Sequence, residues 1–160
     1  MDGIDRRMFL AGAGALAFAP GAALAQARPQ AQAQQPRIVM WKDPNCGCCG
    51  GWAEHAQAAF RERVQIVPDA DMQALKRARR IPEDLWSCHT SMVHGYLAEG
   101  HVPAADLQRL IESQNRQVRG LAVPGMPLGS PGMEAGGRRQ RYQVIAFGPG
   151  TRRSVFATHG

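Results

Sequence analysis

The sequence contains no hydrophobic run long enough to cross a membrane. The uncharged stretch from Ala11 to Ala19 is short and rich in alanine and glycine, whereas a spanning helix needs about 20 mostly apolar residues. Aromatic residues are also scarce, at 6% of the chain. We therefore expect no stable membrane insertion of the mature protein.

The chain also lacks a continuous basic stripe, although its net charge is +6. The basic residues include scattered pairs, namely Arg79-Arg80, Arg138-Arg139 and Arg152-Arg153. A nucleic-acid-binding surface combines a basic stripe with interleaved aromatic residues. The pattern instead predicts a solvated basic surface and no nucleic-acid partner.

Residues 1–25 have the organisation of an export signal. A basic beginning at Arg6-Arg7 precedes the apolar stretch, and Ala23-Leu24-Ala25 is a small-residue cleavage site. The arginine pair followed by Met8-Phe9-Leu10 resembles a twin-arginine signal, with an ordinary secretory signal as the alternative. Either signal predicts cleavage and a periplasmic protein. The composition of residues 26–36 predicts a flexible leader, and residues 37–160 are predicted to form a single domain.

Cysteine is rare but concentrated, because three of the four cysteines are Cys46, Cys48 and Cys49. Three neighbouring thiols cannot all pair within the triplet, and adjacent cysteines such as Cys48 and Cys49 have poor geometry for a disulfide. Cys46 and Cys49 have the C-x-x-C spacing of dithiol oxidoreductases. The density of soft sulfur indicates metal capture or redox chemistry.

The spacing of the cysteines bears on which metal they would hold. Zinc suits four cysteines in number, but structural zinc sites use pairs two to four residues apart, and the usual iron–sulfur spacings are absent. Crowded thiolates suit Cu(I) at low coordination number. Cys88, far along the chain, would become a fourth ligand if folding brings it to the triplet.

Hydrophobic patterning predicts alternating strands and helices. The predicted elements are a strand at about 37–42, a helix at about 48–61, a strand at 64–68, a helix at 72–80, two strands around a turn within 90–100, a helix from about 103, and closing strands at 142–147 and 154–157. This order predicts an α/β, thioredoxin-like mixed sheet flanked by helices on both faces. The triplet then lies in a strand-to-helix turn, where backbone N–H groups and the helix dipole stabilise thiolates.

Further candidate ligands lie elsewhere in the chain. His89 is a candidate ligand, proton carrier or orienting group for Cys88, with an ordinary structural role as the alternative. Met126 and Met133 lie in a Gly/Pro-rich loop and offer soft thioethers, with loop packing as the alternative. The remaining histidines show no distinctive spacing and are predicted to have surface or structural roles: His55, His94, His101 and His159. Core positions are predicted for three other methionines: Met40, Met72 and Met92.

Four segments of the sequence together resemble the CopG-type periplasmic copper-resistance proteins, a metal-binding family long catalogued as a domain of unknown function. These segments are residues 41–52, 87–90, 95–104 and 120–133. The resemblance implies a thioredoxin-like fold with a C-x-C-C motif and a role in copper homeostasis, alongside other periplasmic copper-handling proteins. It also implies a Cu(I)-thiolate cluster, which could be multinuclear, held by four cysteines: Cys46, Cys48, Cys49 and Cys88.

The resemblance leaves open whether the protein is an enzyme, because copper redox interconversion would use the same site as copper storage. A different class, a thiol–disulfide oxidoreductase, would use Cys46 and Cys49 as its reactive pair. Against that class, Cys48 invites mispairing, and residues 87–90 lack the proline that such enzymes usually carry in the cis form. Residues 136–141 are more basic than the resemblance leads us to expect.

Overall fold

A computed structural model describes residues 36–134, 136–150 and 152–160. The predicted export signal, residues 1–25, lies outside the described residues, as does the predicted leader apart from its last residue. In the described part, every helix is too short or too polar to span a bilayer.

Seven strands of the described chain form one mixed sheet with the order β2-β1-β3-β4-β5-β6-β7. The strands are β1 (Ile38–Lys42), β2 (Val64–Pro68), β3 (His89–Val93), β4 (Tyr96–Glu99), β5 (Gly120–Ala122), β6 (Tyr142–Phe147) and β7 (Arg153–His159). The α-helices are α1 (Cys49–Phe60), α2 (Met72–Ala78) and α3 (Ala104–Ser113), and a 3-10 helix covers Glu83–Leu85. The predicted single-domain mixed α/β fold is confirmed, and its thioredoxin-like assignment stays a prediction.

Helix α1 packs on the sheet through a stripe at helical spacing. Its buried residues follow the i, i+3, i+4, i+7 pattern of one helix face, and they are Cys49, Trp52, Ala53 and Ala56. The Trp52 indole N–H also donates to the Val102 carbonyl oxygen at 2.9 Å. Because α1 begins at Cys49, the cysteine triplet occupies the end of the β1–α1 turn and the first residue of the helix.

A two-residue turn fixes the register of the β3–β4 hairpin. His94 and Gly95 both have positive φ, at 48° and 89°, which matches the right-handed twist of the flanking strands. Val93 therefore pairs with Tyr96, and Thr90 pairs with Glu99. If the same register continues two residues further, Cys88 lies opposite His101.

The sheet has helical segments on both faces, as predicted. Successive residues of a strand point to opposite faces, so neighbouring residues such as Leu97 and Ala98 belong to different apolar groups. Helices α1 and α3 share the group that contains Ala98. The opposite group receives Ile81, after α2, and Leu85 of the 3-10 helix.

Strand β5 is the element that the sequence pattern missed. Its three residues are too few to show an alternation, and the strand forms only because β4 and β6 pair with it on either side. A Cβ atom on Gly120 would come within 2.3 Å of the Leu97 carbonyl oxygen, so glycine permits this close approach. Helix α2 is shorter than predicted and ends at Ala78, and Asp71 caps it by accepting from the Ala74 N–H.

Candidate metal centre

Four cysteine sulfur atoms gather at the carboxyl end of β1, all within 4.8 Å of one another. Three come from the β1–α1 turn and the first residue of α1, and the fourth is Cys88, just before β3. Strands β1 and β3 are antiparallel neighbours with Lys42 opposite His89, and this register brings Cys88 beside the turn. The structure therefore brings together all four predicted cysteines, and their role as ligands stays a prediction.

A disulfide joins Cys46 to Cys49, whose Cα atoms are 5.7 Å apart. The thiols of Cys48 and Cys88 are free. The Cys48 sulfur lies 3.7 Å from the Cys46 sulfur, so a third thiol lies close to the disulfide. All four cysteines can act as thiolates together only after this disulfide has been reduced.

His101 is a member of the site that sequence reasoning missed. Its Nε2 lies 3.0 Å from the Cys88 sulfur and 3.6 Å from the Cys48 sulfur, and the side chain is fully buried. Its Nδ1 donates to the Pro131 carbonyl oxygen at 2.8 Å, which leaves the neutral ring with an unprotonated Nε2 facing the thiols. This burial excludes the surface role predicted for His101 as one alternative, and the predicted structural role is left.

The sequence feature that could have identified His101 as a neighbour of Cys88 is the β3–β4 hairpin. The Gly-containing turn was visible in the sequence, and a two-residue connection at His94 and Gly95 fixes every pair along the two strands. Counting two residues outward from the Thr90–Glu99 pair leads to Cys88 and His101 as neighbours across the two chain segments.

His89 is fully buried beside these groups. Its Nδ1 lies 3.2 Å from the Cys88 sulfur, and its ring contacts the rings of Trp52 and His101, with centroids 4.9 Å and 5.0 Å away. Its buried Nε2 has no hydrogen-bond partner among the described residues. A buried polar atom of this kind calls for a ligand or another explanation. Cys88, His89 and His101 also form a second group able to hold a metal ion.

Burial keeps these groups uncharged in the metal-free protein. It raises the pKa of the Cys88 thiol to about 11, and the nearby Cys48 thiol acts in the same direction. It also lowers the pKa of His101 and holds that of His89 well below the ordinary value. A metal ion bound here would meet neutral imidazoles and would displace the proton of Cys88. The thiolate stabilisation predicted for the strand-to-helix turn therefore does not extend to Cys88.

A buried ion pair supports the segment that carries Cys88. The Lys76 ammonium donates to the carboxylate of Glu99 and, at 3.1 Å, to the Thr90 hydroxyl oxygen. Glu99 also accepts from the Thr90 hydroxyl and the Ser87 backbone N–H, each at 2.6 Å. Burial raises the pKa of Glu99, whereas Lys76 and the hydrogen bonds lower it. These contacts fix the chain on both sides of Cys88.

A cavity of about 680 Å³ opens over the free thiols of Cys48 and Cys88. Met126 lies at its rim with 53% of its surface exposed. Met72 also lines this cavity, which corrects its predicted core position. Met133 is half-buried and follows Gly132, whose backbone packs against the backbone of Trp52 at the start of α1.

The fold and the site define a class of protein: a small mixed α/β domain with a cysteine–histidine group able to hold a metal ion. Comparison with solved structures narrows this class to a family. Two structures of a protein described as "Copper resistance protein copG", Form 2 and Form 1, are each 43% identical to this chain, with a TM-score of 0.72. They cover 77% and 78% of this chain and 97% and 98% of their own. The chain belongs to the family of this copper resistance protein.

A family profile described as "Protein of unknown function, DUF411" matches residues 85–133. The matched segment contains Cys88, His89 and His101, together with the methionine-bearing loop. No curated protein matches the chain.

Proposed function

We propose that the protein binds Cu(I) through the thiolates of Cys46, Cys48, Cys49 and Cys88, as a periplasmic component of copper homeostasis and resistance. The observation that carries the proposal is the approach of four sulfur atoms, from two distant segments, to within 4.8 Å of one another. Membership in the family of a copper resistance protein supports copper as the metal. Export would follow from the signal predicted in residues 1–25.

The donor set favours a soft, monovalent ion. Thiolates select Cu(I), and a crowded group of thiolates can bridge several ions in one cluster. Two neutral imidazoles border the sulfur atoms, and the Nε2 of His101 faces two of them. We include His89 and His101 as further ligands. Met126 and Met133 stay predicted groups for copper transfer or gating.

Copper redox interconversion would use the Cys46–Cys49 pair. Two thiols would lose two electrons and two protons as the S–S bond forms, and two Cu(II) ions would become two Cu(I) ions. The reverse step would reduce the disulfide at the expense of Cu(I). The proximity of this pair to two free thiols supports coupling between the thiol redox state and copper binding.

A second candidate function is thiol–disulfide exchange, which the disulfide across the C-x-x-C spacing favours. The Cys48 sulfur, 3.7 Å from Cys46, opposes it because a third thiol can attack the same disulfide. The two functions differ in their dependence on Cys48. Copper binding requires it, whereas exchange by Cys46 and Cys49 does not.

The decisive experiment is an anaerobic titration of the reduced protein with Cu(I) against a competing chelator. We expect Cys48→Ala and Cys88→Ala each to lower the number of copper ions bound. Ser154→Ala, an exposed change on β7, serves as the control. Unchanged binding in Cys88→Ala would remove that residue from the site. Insulin reduction that survives Cys48→Ala, together with weak copper binding, would favour the oxidoreductase.

Export is tested separately by cell fractionation of the full chain. We expect the processed protein in the periplasmic fraction, and we expect Arg6→Lys combined with Arg7→Lys to block its appearance there if the route is twin-arginine. Unaltered export of this variant would indicate the ordinary secretory route. Retention of the unprocessed wild-type chain in the cytoplasm would contradict a periplasmic role.

A further inference from the structure

The cavity over the free thiols is lined by five sulfur side chains from four separate parts of the fold, and one of them, Cys46, is in the disulfide. Cys48 comes from the β1–α1 turn and Cys88 from the residue before β3, while Met72 begins α2 and Met126 lies in the loop after β5. The two thiols belong to the candidate metal centre. The two thioethers belong to neither apolar core group of the described residues, and they line the same cavity as the thiols.

Met126 is held at the rim by its backbone rather than by packing of its side chain. Its side chain is 53% exposed. Gly125 adopts a positive φ of 71°, and its carbonyl oxygen accepts a hydrogen bond from the Ser87 hydroxyl, next to Cys88 in the chain. Prolines at positions 124 and 127 restrict the same loop. The fold therefore presents an exposed thioether, on a restrained backbone, at the cavity that the two free thiols also line.

The two charged side chains that line the cavity both make hydrogen bonds. The ammonium of Lys76 is bound by Glu99, and the Asp43 carboxylate accepts the Asn45 backbone N–H at 2.7 Å. A neutral thioether pair binds hard divalent cations poorly, because those ions prefer oxygen ligands. It suits soft monovalent ions such as Cu(I) and Ag(I).

We propose that Met72 and Met126 form an outer site that receives Cu(I) or Ag(I) at the cavity mouth and passes it inward to Cys48 and Cys88. This inference rests on the proposed function. The ion exchanges thioether ligands for thiolate ligands without a change in oxidation state, and each thiol releases its proton to water as the metal–sulfur bond forms. The outer site therefore accelerates loading and adds nothing to the final copper content.

The kinetic test measures Cu(I) transfer from a chelator to the reduced protein by anaerobic stopped-flow. We expect Met72→Leu combined with Met126→Leu to slow uptake about tenfold and to leave the final copper content unchanged. Met92→Leu is the matched control, because Met92 packs with the apolar group on the opposite side of the sheet from α1 and α3. Unchanged uptake in the double variant would overturn the outer site, as would a loss of copper content, which would make both methionines part of the cluster.

A second measurement separates this inference from the proposed function. In the Cys48→Ala/Cys88→Ala variant with ¹³C-methyl methionine, Ag(I) should shift the NMR signals of Met72 and Met126 and leave that of Met92 in place. Absence of these shifts would contradict the outer site even if wild-type protein binds copper normally. Their presence would support it even if the thiolates bound no copper.

Discussion

Two buried polar groups lie on opposite faces of the β3–β4 hairpin, and they differ in how completely their atoms are paired. On one face, Lys76, Thr90 and Glu99 satisfy one another, and Glu99 also accepts the Ser87 N–H. On the other face, His89 has a buried Nε2 without a hydrogen-bond partner among the described residues. A network whose polar groups bind one another stabilises the fold, whereas a buried polar atom without a hydrogen-bond partner is suited to bind an external ligand.

The two groups are also linked through Cys88. The closed network fixes Ser87 and Thr90, which flank the Cys88–His89 segment, while the side chains of that segment contribute to the sulfur–imidazole group. Alternation along β3 puts Thr90 and His89 on opposite faces of the sheet. Cys88 and His101 lie beyond the paired strand residues and join His89 in the sulfur–imidazole group of these three residues. Substitutions in the first group should change the free energy of unfolding, and substitutions in the second should change copper binding.

The largest effect is expected from Lys76→Met. This change leaves the Glu99 carboxylate buried without its cation, which costs about 3–5 kcal/mol of the free energy of unfolding. Urea denaturation of the metal-free protein measures the loss. The double variant Lys76→Met/Glu99→Gln, which removes both charges, should recover most of it. A loss below about 1 kcal/mol in the single variant would contradict the supporting role of the ion pair.

The state of the Cys46–Cys49 disulfide should have the next largest effect, on copper capacity. With this disulfide intact, two of the four sulfur atoms cannot become thiolates, so oxidised protein should bind roughly half as much Cu(I) as reduced protein. Anaerobic titration of the two forms, with thiol counting as the control, measures the difference. Equal capacities would mean that Cys46 and Cys49 are not ligands.

A smaller effect is expected from His101→Gln. Loss of the imidazole that faces Cys48 and Cys88 should weaken Cu(I) affinity about 10- to 100-fold. Competition with a chelator measures the affinity, and urea denaturation verifies that the fold is retained. His55→Gln, a change at a half-exposed helix residue, is the control. An unchanged affinity in His101→Gln would leave His101 with a packing role alone.

The smallest effect is a pH dependence that belongs to the sulfur–imidazole group. His89 has a lowered pKa and stays neutral when folded, whereas an unfolded histidine takes up a proton below about pH 6.5. The unfolded state then binds more protons, so stability falls as the pH decreases. Between pH 7.5 and 5.5 we expect His89 to account for a loss on the order of 1 kcal/mol in the metal-free protein.

This pH effect is measured by urea denaturation at the two pH values for wild-type protein and His89→Gln. The variant should show a smaller loss between them, whatever its stability at pH 7.5. The same loss in both proteins would show that His89 is not responsible.

Local patterns predicted the elements that depend on nearby residues. The stripe that includes Trp52 and Ala56 repeats at helical spacing, and the turn at His94 and Gly95 joins two strands, so both elements could be predicted from sequence. Strand β5 could not, since its three residues form a strand only between β4 and β6. The half-buried position of Met72 could not be predicted either, because it depends on the cavity that Met72 lines.

The sequence by itself determined that three thiols crowd one strand-to-helix turn, because the β1–α1 boundary and the positions of Cys46, Cys48 and Cys49 are local properties. Only the tertiary structure decided which distant groups join them. Pairing of β1 with β3 brings Cys88 to the turn, and His101 arrives with Cys88 because the local β3–β4 hairpin already places the two residues side by side. Strand register acts across the sheet rather than along the chain, so this assembly exists only once the sheet has formed.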